Sequence, residues 1–333
     1  MEKRDKIVIG SRGSKLALIQ ANWAKSQLEE ANKEIEFDIE KIKTTGDKIT
    51  DSPLSKIGNI GLFTKELENA LLDKKVDLVV HSAKDVPTEI PNGLVIGAVS
   101  KREDPHDVLI SRDNVSLRDL PQKAKIGTSS LRRRSQILAF RSDLEIVDLR
   151  GNLDTRLKKL DFGELDAIVV ARAGLLRFGL SEKASEIISY DIMLPAVGQG
   201  ALCVEIRDTD HKVKEIISIL NHHETMCEVK AERTLLAKLQ GGCQIPIGAH
   251  AEVIFPVNLK LEAVVCSLDG TTIIRDSIGG KVDDFATMGQ QLAHKLLGMG
   301  GAKILDEIRK GMQKTTLVNP FNTQPSRART KKG

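Results

Sequence analysis

Gly127-Thr128-Ser129-Ser130-Leu131-Arg132-Arg133-Arg134 concentrates hydroxyls and guanidinium groups at one point of the chain. The segment follows a short apolar run that reads as a strand and precedes Ser135-Gln136-Ile137-Leu138, which reads as a helix. A helix start presents free backbone N–H groups and the positive end of its dipole; Thr and Ser add donors, and Arg adds forked, permanently charged ones. Such a place binds carboxylate or phosphate. The same grammar recurs near the N-terminus, where the strand-like Lys6-Ile7-Val8-Ile9-Gly10 runs into Ser11-Arg12-Gly13-Ser14 and then a helical pattern at Leu16, Ile19 and Trp23. A third cluster, Arg150-Gly151-Asn152, follows Ile146-Val147-Asp148-Leu149, with Arg156 one turn into a helix marked by Leu153, Leu157 and Leu160. Arg177 follows a fourth strand, Ala167-Ile168-Val169-Val170. One such Arg is most simply a solvated surface residue. Four clusters at equivalent strand ends point instead to one cleft, because doubly wound sheets bind ligands outside the carboxyl ends of their strands.

Two further positions carry chemistry. Asp85 lies in His81-Ser82-Ala83-Lys84-Asp85-Val86-Pro87, directly after the buried-strand pattern Asp77-Leu78-Val79-Val80. A carboxylate among cations stays ionised and can stabilise a cationic intermediate or relay a proton; it can equally cap the turn before Pro87, and the local residues leave both open. Cys243 sits in Gly241-Gly242-Cys243-Gln244-Ile245-Pro246, a loop in which a thiol is exposed enough to be modified or to act as a nucleophile, with a structural role equally open. Cys203 and Cys266 fall in apolar runs and read as small hydrophobes. The four cysteines show no CxxC spacing, so neither a zinc site nor a disulfide framework is expected. His81 reads as a structural histidine, and His222-His223 is a poor metal pair, because adjacent side chains diverge on a helix. No metal is expected.

The elements that position these residues belong to a multi-domain chain. At 333 residues, two or three domains are expected, and a hydrophobic content of 41% is ample for sizeable cores. No apolar run approaches the roughly 18 residues that span a bilayer. The charged start Met1-Glu2-Lys3-Arg4-Asp5 leads straight into a strand, so no signal peptide and a cytoplasmic location are expected. The net charge of +4 is a property of the tail: residues 314–333 hold five basic residues and no acidic one, leaving the body close to neutral. With aromatics at 3%, no stacking platform for nucleic acid is available. Residues 313–333 read as a disordered basic tail.

Seven ordered motifs together resemble the porphobilinogen deaminase (hydroxymethylbilane synthase) family over almost the whole chain. They are Gly61-Leu62-Phe63-Thr64-Lys65-Glu66-Leu67-Glu68, the loop from His81 to Pro87, Arg102-Glu103-Asp104-Pro105, the segment from Gly127 to Arg133, Leu149-Arg150-Gly151-Asn152, Leu194-Pro195-Ala196-Val197-Gly198-Gln199-Gly200, and Gly241-Gly242-Cys243-Gln244. The resemblance implies a transferase of tetrapyrrole biosynthesis that joins four porphobilinogen molecules head to tail into the linear tetrapyrrole hydroxymethylbilane, releasing ammonia at each step. It implies a dipyrromethane cofactor held by a thioether to Cys243. Loss of ammonia gives an azafulvene cation, the free α-carbon of the terminal ring attacks it, and a proton then leaves. Asp85 matches the family's catalytic Asp. Arg12, Lys84, Arg132, Arg133, Arg150, Arg156 and Arg177, with Ser14, Ser82, Thr128, Ser129 and Ser130, match residues that hold cofactor and substrate carboxylates, and Gln20 and Phe63 are placed in the same cleft. Each pyrrole carries an acetate and a propionate, so repeated Arg clusters become intelligible as their counter-ions.

The implied fold is α/β in three domains, the first two periplasmic-binding-protein-like with an interdomain cleft, the third a small α+β domain carrying the cofactor cysteine. The boundaries expected are 1–100 plus 200–217 for domain 1, 105–195 for domain 2 and 221–312 for domain 3, with crossover hinges at Arg102 to Pro105 and Leu194 to Gly200. A monomer without nucleic-acid or membrane partners is implied. Two positions depart from the family: Ile60 stands where a second Lys is frequent, and Leu176 where a polar residue is frequent. The competing reading is a small-carboxylate binding protein of the same two-domain fold, which would need neither an exposed loop thiol nor Asp85.

Overall fold

The structure, a computed structural model, describes residues 5–48, 61, 63–242, 245–254 and 257–317. The chain opens with β1 (Lys6–Arg12), α1 (Lys15–Ala31) and β2 (Glu36–Ile42), then passes a single helical turn, α2 (Thr45–Lys48), and α3 (Lys65–Leu72) to β3 (Leu78–Ser82) and β4 (Leu94–Val99). A second run holds β5 (Asp107–Ser111), β6 (Lys125–Gly127), α4 (Leu131–Phe140), β7 (Glu145–Val147), α5 (Leu153–Asp161), β8 (Ala167–Ala171), α6 (Arg172–Phe178) and β9 (Glu186–Ile187). After β10 (Leu202–Arg207) come α7 (His211–Ile216), α8 (His223–Lys238), the strands β11 (Ile247–Ile254), β12 (Asn258–Cys266) and β13 (Ile273–Lys281), then α9 (Phe285–Leu296) and α10 (Ala302–Leu317).

The first sheet has the order β2-β1-β3-β10-β4, with β1 parallel to β2 and β3, and β10 antiparallel to β3 and β4. The period-two alternation of β1 explains its two coats: Ile7 and Ile9 join the core under α1, whereas Val8 packs with Leu67, Leu71 and Val79 under α3. On α1 the buried positions Ala17, Gln20, Ala21, Ala24 and Leu28 follow helical spacing, and the small alanines let the helix lie close to the strands. Each large side chain buried in this way contributes about 1.5–3 kcal/mol.

The second sheet repeats the pattern as β7-β6-β8-β5-β9, with β6 parallel to β7 and β8, and β5 antiparallel to β8 and β9. Here β5 occupies the place that β10 takes in the first sheet. Because β10 lies in sequence beyond the whole second sheet, the chain crosses between the sheets twice. Arg102 to Pro105 run on the way out, and Leu194 to Gly200 on the way back. The two crossovers touch along their backbones: the Glu103 N–H donates to the Gly200 carbonyl at 3.3 Å. Gly200 has φ +96, and a Cβ there would collide with the Glu103 carbonyl, so glycine is required twice over. The third sheet is an antiparallel meander, β11-β12-β13, whose Ala249, Ala251, Leu261 and Ala263 share a core with Leu235 of α8 and Leu292 and Leu296 of α9. The fold is therefore α/β, with two five-stranded mixed sheets of matching order and a smaller α+β unit.

Two details differ from the sequence reading. Helix α10 runs on to Leu317, into the stretch read as a disordered tail, and residues 318–333 lie outside the described residues. The strand expected over 146–149 ends at Val147; Leu149 is buried in the second sheet's core all the same, so hydrophobicity marked its burial correctly while the chain had already turned out of the sheet.

Candidate functional site

At the carboxyl ends of β1 and β3, the first sheet presents Arg12, Ser14, Ser82, Lys84 and Asp85. Ser14 caps α1, its hydroxyl accepting from the Ala17 N–H at 3.3 Å. Gln20, buried on the inward stripe of α1, donates from Nε2 to the Ser82 hydroxyl at 2.9 Å, so a polar residue inside an apolar face is explained by its partner at a strand end. The Arg12 guanidinium stacks over the Phe63 ring, 4.2 Å from its centroid. Arg12, Ser14, Gln20, Phe63, Ser82 and Asp85 line one cavity. After β3 the chain makes a 3₁₀ turn, Ala83–Asp85, that places Lys84 and Asp85 side by side and partly buried. His81, one residue inside the strand, pairs at 3.0 Å with the buried carboxylate of Glu205.

The second sheet contributes the start of α4. Ser130 is its N-cap, its hydroxyl accepting from the Arg133 N–H at 3.4 Å, while the Ser130 N–H donates to the Thr128 hydroxyl at 3.2 Å and the Ser129 hydroxyl donates to the Leu149 carbonyl at 3.0 Å. Arg132 and Arg133 do not point outward as free forks. Both are buried, at 5% and 6% exposure, around Asp107, which is fully buried at the start of β5. Arg132 donates to Asp107 Oδ2 at 2.6 Å and to the Leu194 carbonyl at 2.7 Å; Arg133 donates to Asp107 Oδ1 at 2.8 and 3.0 Å and to the Val169 carbonyl at 3.0 Å. Burial alone would raise the Asp107 carboxyl, but the two guanidiniums outweigh it and hold the group well below the usual carboxylate range. Next to this cluster, Asn152 caps α5 by accepting from the Thr155 N–H at 3.0 Å, and Arg156 in its first turns donates to the Gly151 carbonyl at 2.9 Å.

Charges from the two sheets face each other. Burial and then the nearby Arg133 push the Lys84 ammonium down to about 8, against the opposite pull of Asp85 and Asp107. Burial and Arg133 likewise lower Arg156, to about 10, while Asp85 on the other sheet opposes the shift. Burial also lowers Arg150. The gap therefore holds an excess of positive charge around one partly buried carboxylate, Asp85. Such a gap favours a ligand that brings several carboxylates and a cationic centre.

Arg177 is not gathered into this group through the contacts described: it donates to the Gly200 carbonyl at 2.6 Å and so ties α6 to the second crossover. Leu176, its neighbour, is a partly buried position of the same helix. Cys243 and Ile60 lie outside the described residues, as do Gln244 and Leu62. Around the cysteine, α8 ends at Lys238, Gln240 adopts φ +50, and the Ile245 N–H donates to the Gly242 carbonyl at 3.2 Å before β11 begins.

Three residues of this region had no role assigned from the sequence: Asp107, Glu232 and Gln199, the last although it stands in the motif Leu194 to Gly200. An acid heading the apolar run Val108-Leu109-Ile110 was a legible signal for Asp107. Gln199, between two glycines on the second crossover, donates to the Pro105 carbonyl at 2.7 Å and to Asp107 Oδ1 at 3.0 Å. Glu232 of α8 is fully buried and receives Arg102 at 2.7 and 3.2 Å, the Gly198 N–H at 2.6 Å and the Ala251 N–H at 2.8 Å. Neither pattern has a local sequence signature, because every partner is distant in the chain.

Comparison with known proteins gives concordant matches. Residues 7–215 match the family model described as porphobilinogen deaminase, dipyrromethane cofactor binding domain, and residues 226–298 match the one described as porphobilinogen deaminase, C-terminal domain. The porphobilinogen deaminase of Desulforamulus reducens is 50% identical over 308 residues, covering 92% of this chain and 99% of its own. That of Chlorobaculum tepidum is 50% identical over 310 residues, with the same coverage of 92% and 99%. Among solved structures, the alkanesulfonate-binding protein of Xanthomonas axonopodis pv. citri is 12% identical at a TM-score of 0.38, covering 72% of this chain and 77% of that one.

Proposed function

The chain belongs to the porphobilinogen deaminase family, and on that premise we propose how its own residues divide the work of the family's reaction. The reaction itself is that of hydroxymethylbilane synthase: a transferase of tetrapyrrole biosynthesis that condenses four porphobilinogen molecules into a linear tetrapyrrole, with release of ammonia and with a dipyrromethane cofactor. The periplasmic-binding-protein-like fold by itself does not favour a simple carboxylate-binding protein over this enzyme.

The residues present fit such a cofactor. A dipyrromethane built from substrate brings several carboxylates and two ring N–H groups, and the gap between the sheets offers cations around Asp85, with Asp107 buried behind them. When bound, the group would supply the electron-rich free pyrrole α-carbon to which the first unit is joined, each later unit joining the terminal ring of the growing chain. Asp85 accepts hydrogen bonds from pyrrole N–H groups, stabilises the positive charge that develops as ammonia leaves, and assists the later loss of the ring proton. Arg12, Lys84, Arg150 and Arg156 hold acetate and propionate groups, with Ser14, Ser82, Thr128, Ser129 and Ser130 as neutral donors. Gln20 and Phe63 orient this set, through the Ser82 hydroxyl and the Arg12 guanidinium respectively. Arg132 and Arg133 act mainly by fixing the start of α4 and by their field, since Asp107 already engages both. Arg177 braces the second crossover. Cys243 attaches the cofactor.

We take residues 1–100 with 200–217, 105–195 and 221–312 as the three domains, on the ground that β10 pairs with β3 and β4 across the intervening second sheet. We also take the protein to be a cytoplasmic monomer, by likeness to its family. No helix among the described residues is long and apolar enough to cross a membrane.

The observation that carries the site assignment is the placement of Asp85 beside Lys84 and within the field of Arg156 from the opposite sheet. The assignment is tested by the intact mass of the purified protein and of Cys243→Ser, each with a pyrrole-reactive aldehyde colour test. The expected result is an excess of two linked pyrrole units in the wild type and none in the variant. An adduct that survives in Cys243→Ser would refute attachment at this thiol.

A further inference from the structure

Gln199 connects the two halves of the gap through one side chain. It is 1% exposed and lies on the second crossover, where its backbone is fixed by donation from Arg102 Nε to its carbonyl at 2.9 Å. Its Oε1 accepts from Lys84 Nζ at 3.3 Å, and its Nε2 donates to the Pro105 carbonyl at 2.7 Å and to Asp107 Oδ1 at 3.0 Å. The orientation of the amide is forced: an ammonium only donates, whereas a carboxylate and a carbonyl only accept, so oxygen must face Lys84 and nitrogen must face Asp107. Asp107 is also the carboxylate that holds Arg132 and Arg133. A continuous polar chain thus runs from Lys84 of the first sheet through Gln199 to Asp107, and on to the start of α4 in the second.

We propose that Gln199 is a positioning residue for the reaction: its amide fixes the ammonium of Lys84 toward the gap and locks that placement to the Asp107 cluster, so that carboxylate binding and the spacing of the two halves are set together. This inference rests on the assignment of Lys84 to the carboxylate-holding set. Asn at this position is one methylene short of spanning both partners. Met keeps the length and loses the hydrogen bonds to Lys84, the Pro105 carbonyl and Asp107. Glu keeps the acceptor for Lys84 but turns an oxygen toward Asp107 and the Pro105 carbonyl.

The charged groups around Lys84 make the role readable in a pH profile. Asp85 stands beside it, Arg132 and Arg133 face it from α4, and Asp107 faces it from β5; burial with the two Arg residues brings its ammonium to about 8. Lys84 is charged below that pH and neutral above it, so carboxylate binding weakens along an alkaline limb. Oε1 of Gln199 favours the charged form, and its loss in Gln199→Met moves the limb to lower pH. Gln199→Glu adds a negative charge and moves the limb to higher pH.

The experiment is the pH dependence of kcat/KM for porphobilinogen consumption by the cofactor-loaded enzyme, for wild type, Gln199→Met, Gln199→Glu and Lys84→Arg. We expect the limb to shift in opposite directions in the two Gln199 variants, by roughly half a pH unit or more each, and to vanish in Lys84→Arg, whose side chain stays charged. A limb that stays in place in Gln199→Glu overturns the proposal, even if Gln199→Met does not fold. A limb that persists in Lys84→Arg belongs to another group, the substrate's own amine included, and overturns it equally. A wild-type protein that neither carries the dipyrromethane nor consumes porphobilinogen would instead count against the assignment of the site from which the inference starts.

Discussion

At the scale of single residues, the site is a problem in keeping one anion useful among many cations. Asp85 lies beside Lys84 and within the field of Arg156, and a carboxylate placed among cations can both stabilise a developing positive charge and take up a proton. Asp85→Asn keeps the shape and removes the charge. We expect its kcat to fall by roughly 10²–10⁴ with the far-ultraviolet circular dichroism unchanged, a range typical of a single electrostatic or proton-transfer group; a loss of less than tenfold in steady-state turnover would remove Asp85 from the chemistry. Part of this residue scale was legible in the sequence. Strand-turn-helix patterns singled out Arg12, Arg150 and Arg156 as candidates and placed Lys84 and Asp85 on the loop after β3, because a strand followed by a turn is a local signal. Arg132 and Arg133 show the limit of that rule, since their side chains turn back to a carboxylate 25 and 26 residues away in sequence.

At the scale of elements, the start of α4 is held by electrostatics from below rather than by an anion from outside. Asp107 neutralises two buried guanidiniums, and removing one partner of a buried pair costs far more than the pair contributes. Asp107→Asn is therefore expected to destabilise the protein by about 3–5 kcal/mol, as read from urea midpoints. The pH dependence follows from the sign of the shift. A carboxylate depressed in the folded state stabilises fully above its ordinary value of 3.8 and loses that contribution only as pH falls further, toward the folded value. The difference between wild type and variant should thus be flat from pH 5 to 8. A difference that shrinks across that range would mean that Asp107 is not ionised as described.

At the scale of the whole molecule, the two crossovers are pinned to the third sheet and its helices. Arg102 on the first crossover reaches Glu232 of α8, which also accepts from Gly198 on the second crossover and from Ala251 of β11. Burial alone would lower the Arg102 guanidinium, but Glu232 outweighs it and raises the group further. Any opening between the first two sheets must work around this fixed point, because both connections pass through it. Arg102→Met and Glu232→Gln are each expected to cost about 3–5 kcal/mol, with the double variant losing clearly less than the sum, since each single change leaves a buried charge unpaired. Additive losses in equilibrium unfolding would show that the two residues act independently.

By itself the sequence determined the chemistry and most of the strand-turn-helix units, because hydrophobic period, caps and strand-end polar residues are local signals. Seven short motifs were enough to identify the family, its cofactor and its substrate. Only the tertiary structure decided which Arg residues face the gap and which are consumed by Asp107. It also joined Gln199 to Lys84 and Glu232 to both crossovers. Those decisions depend on contacts between residues 25 to 130 positions apart, which no local pattern encodes; burial forces each polar group to find a partner, and only the packed chain determines which partner lies within reach.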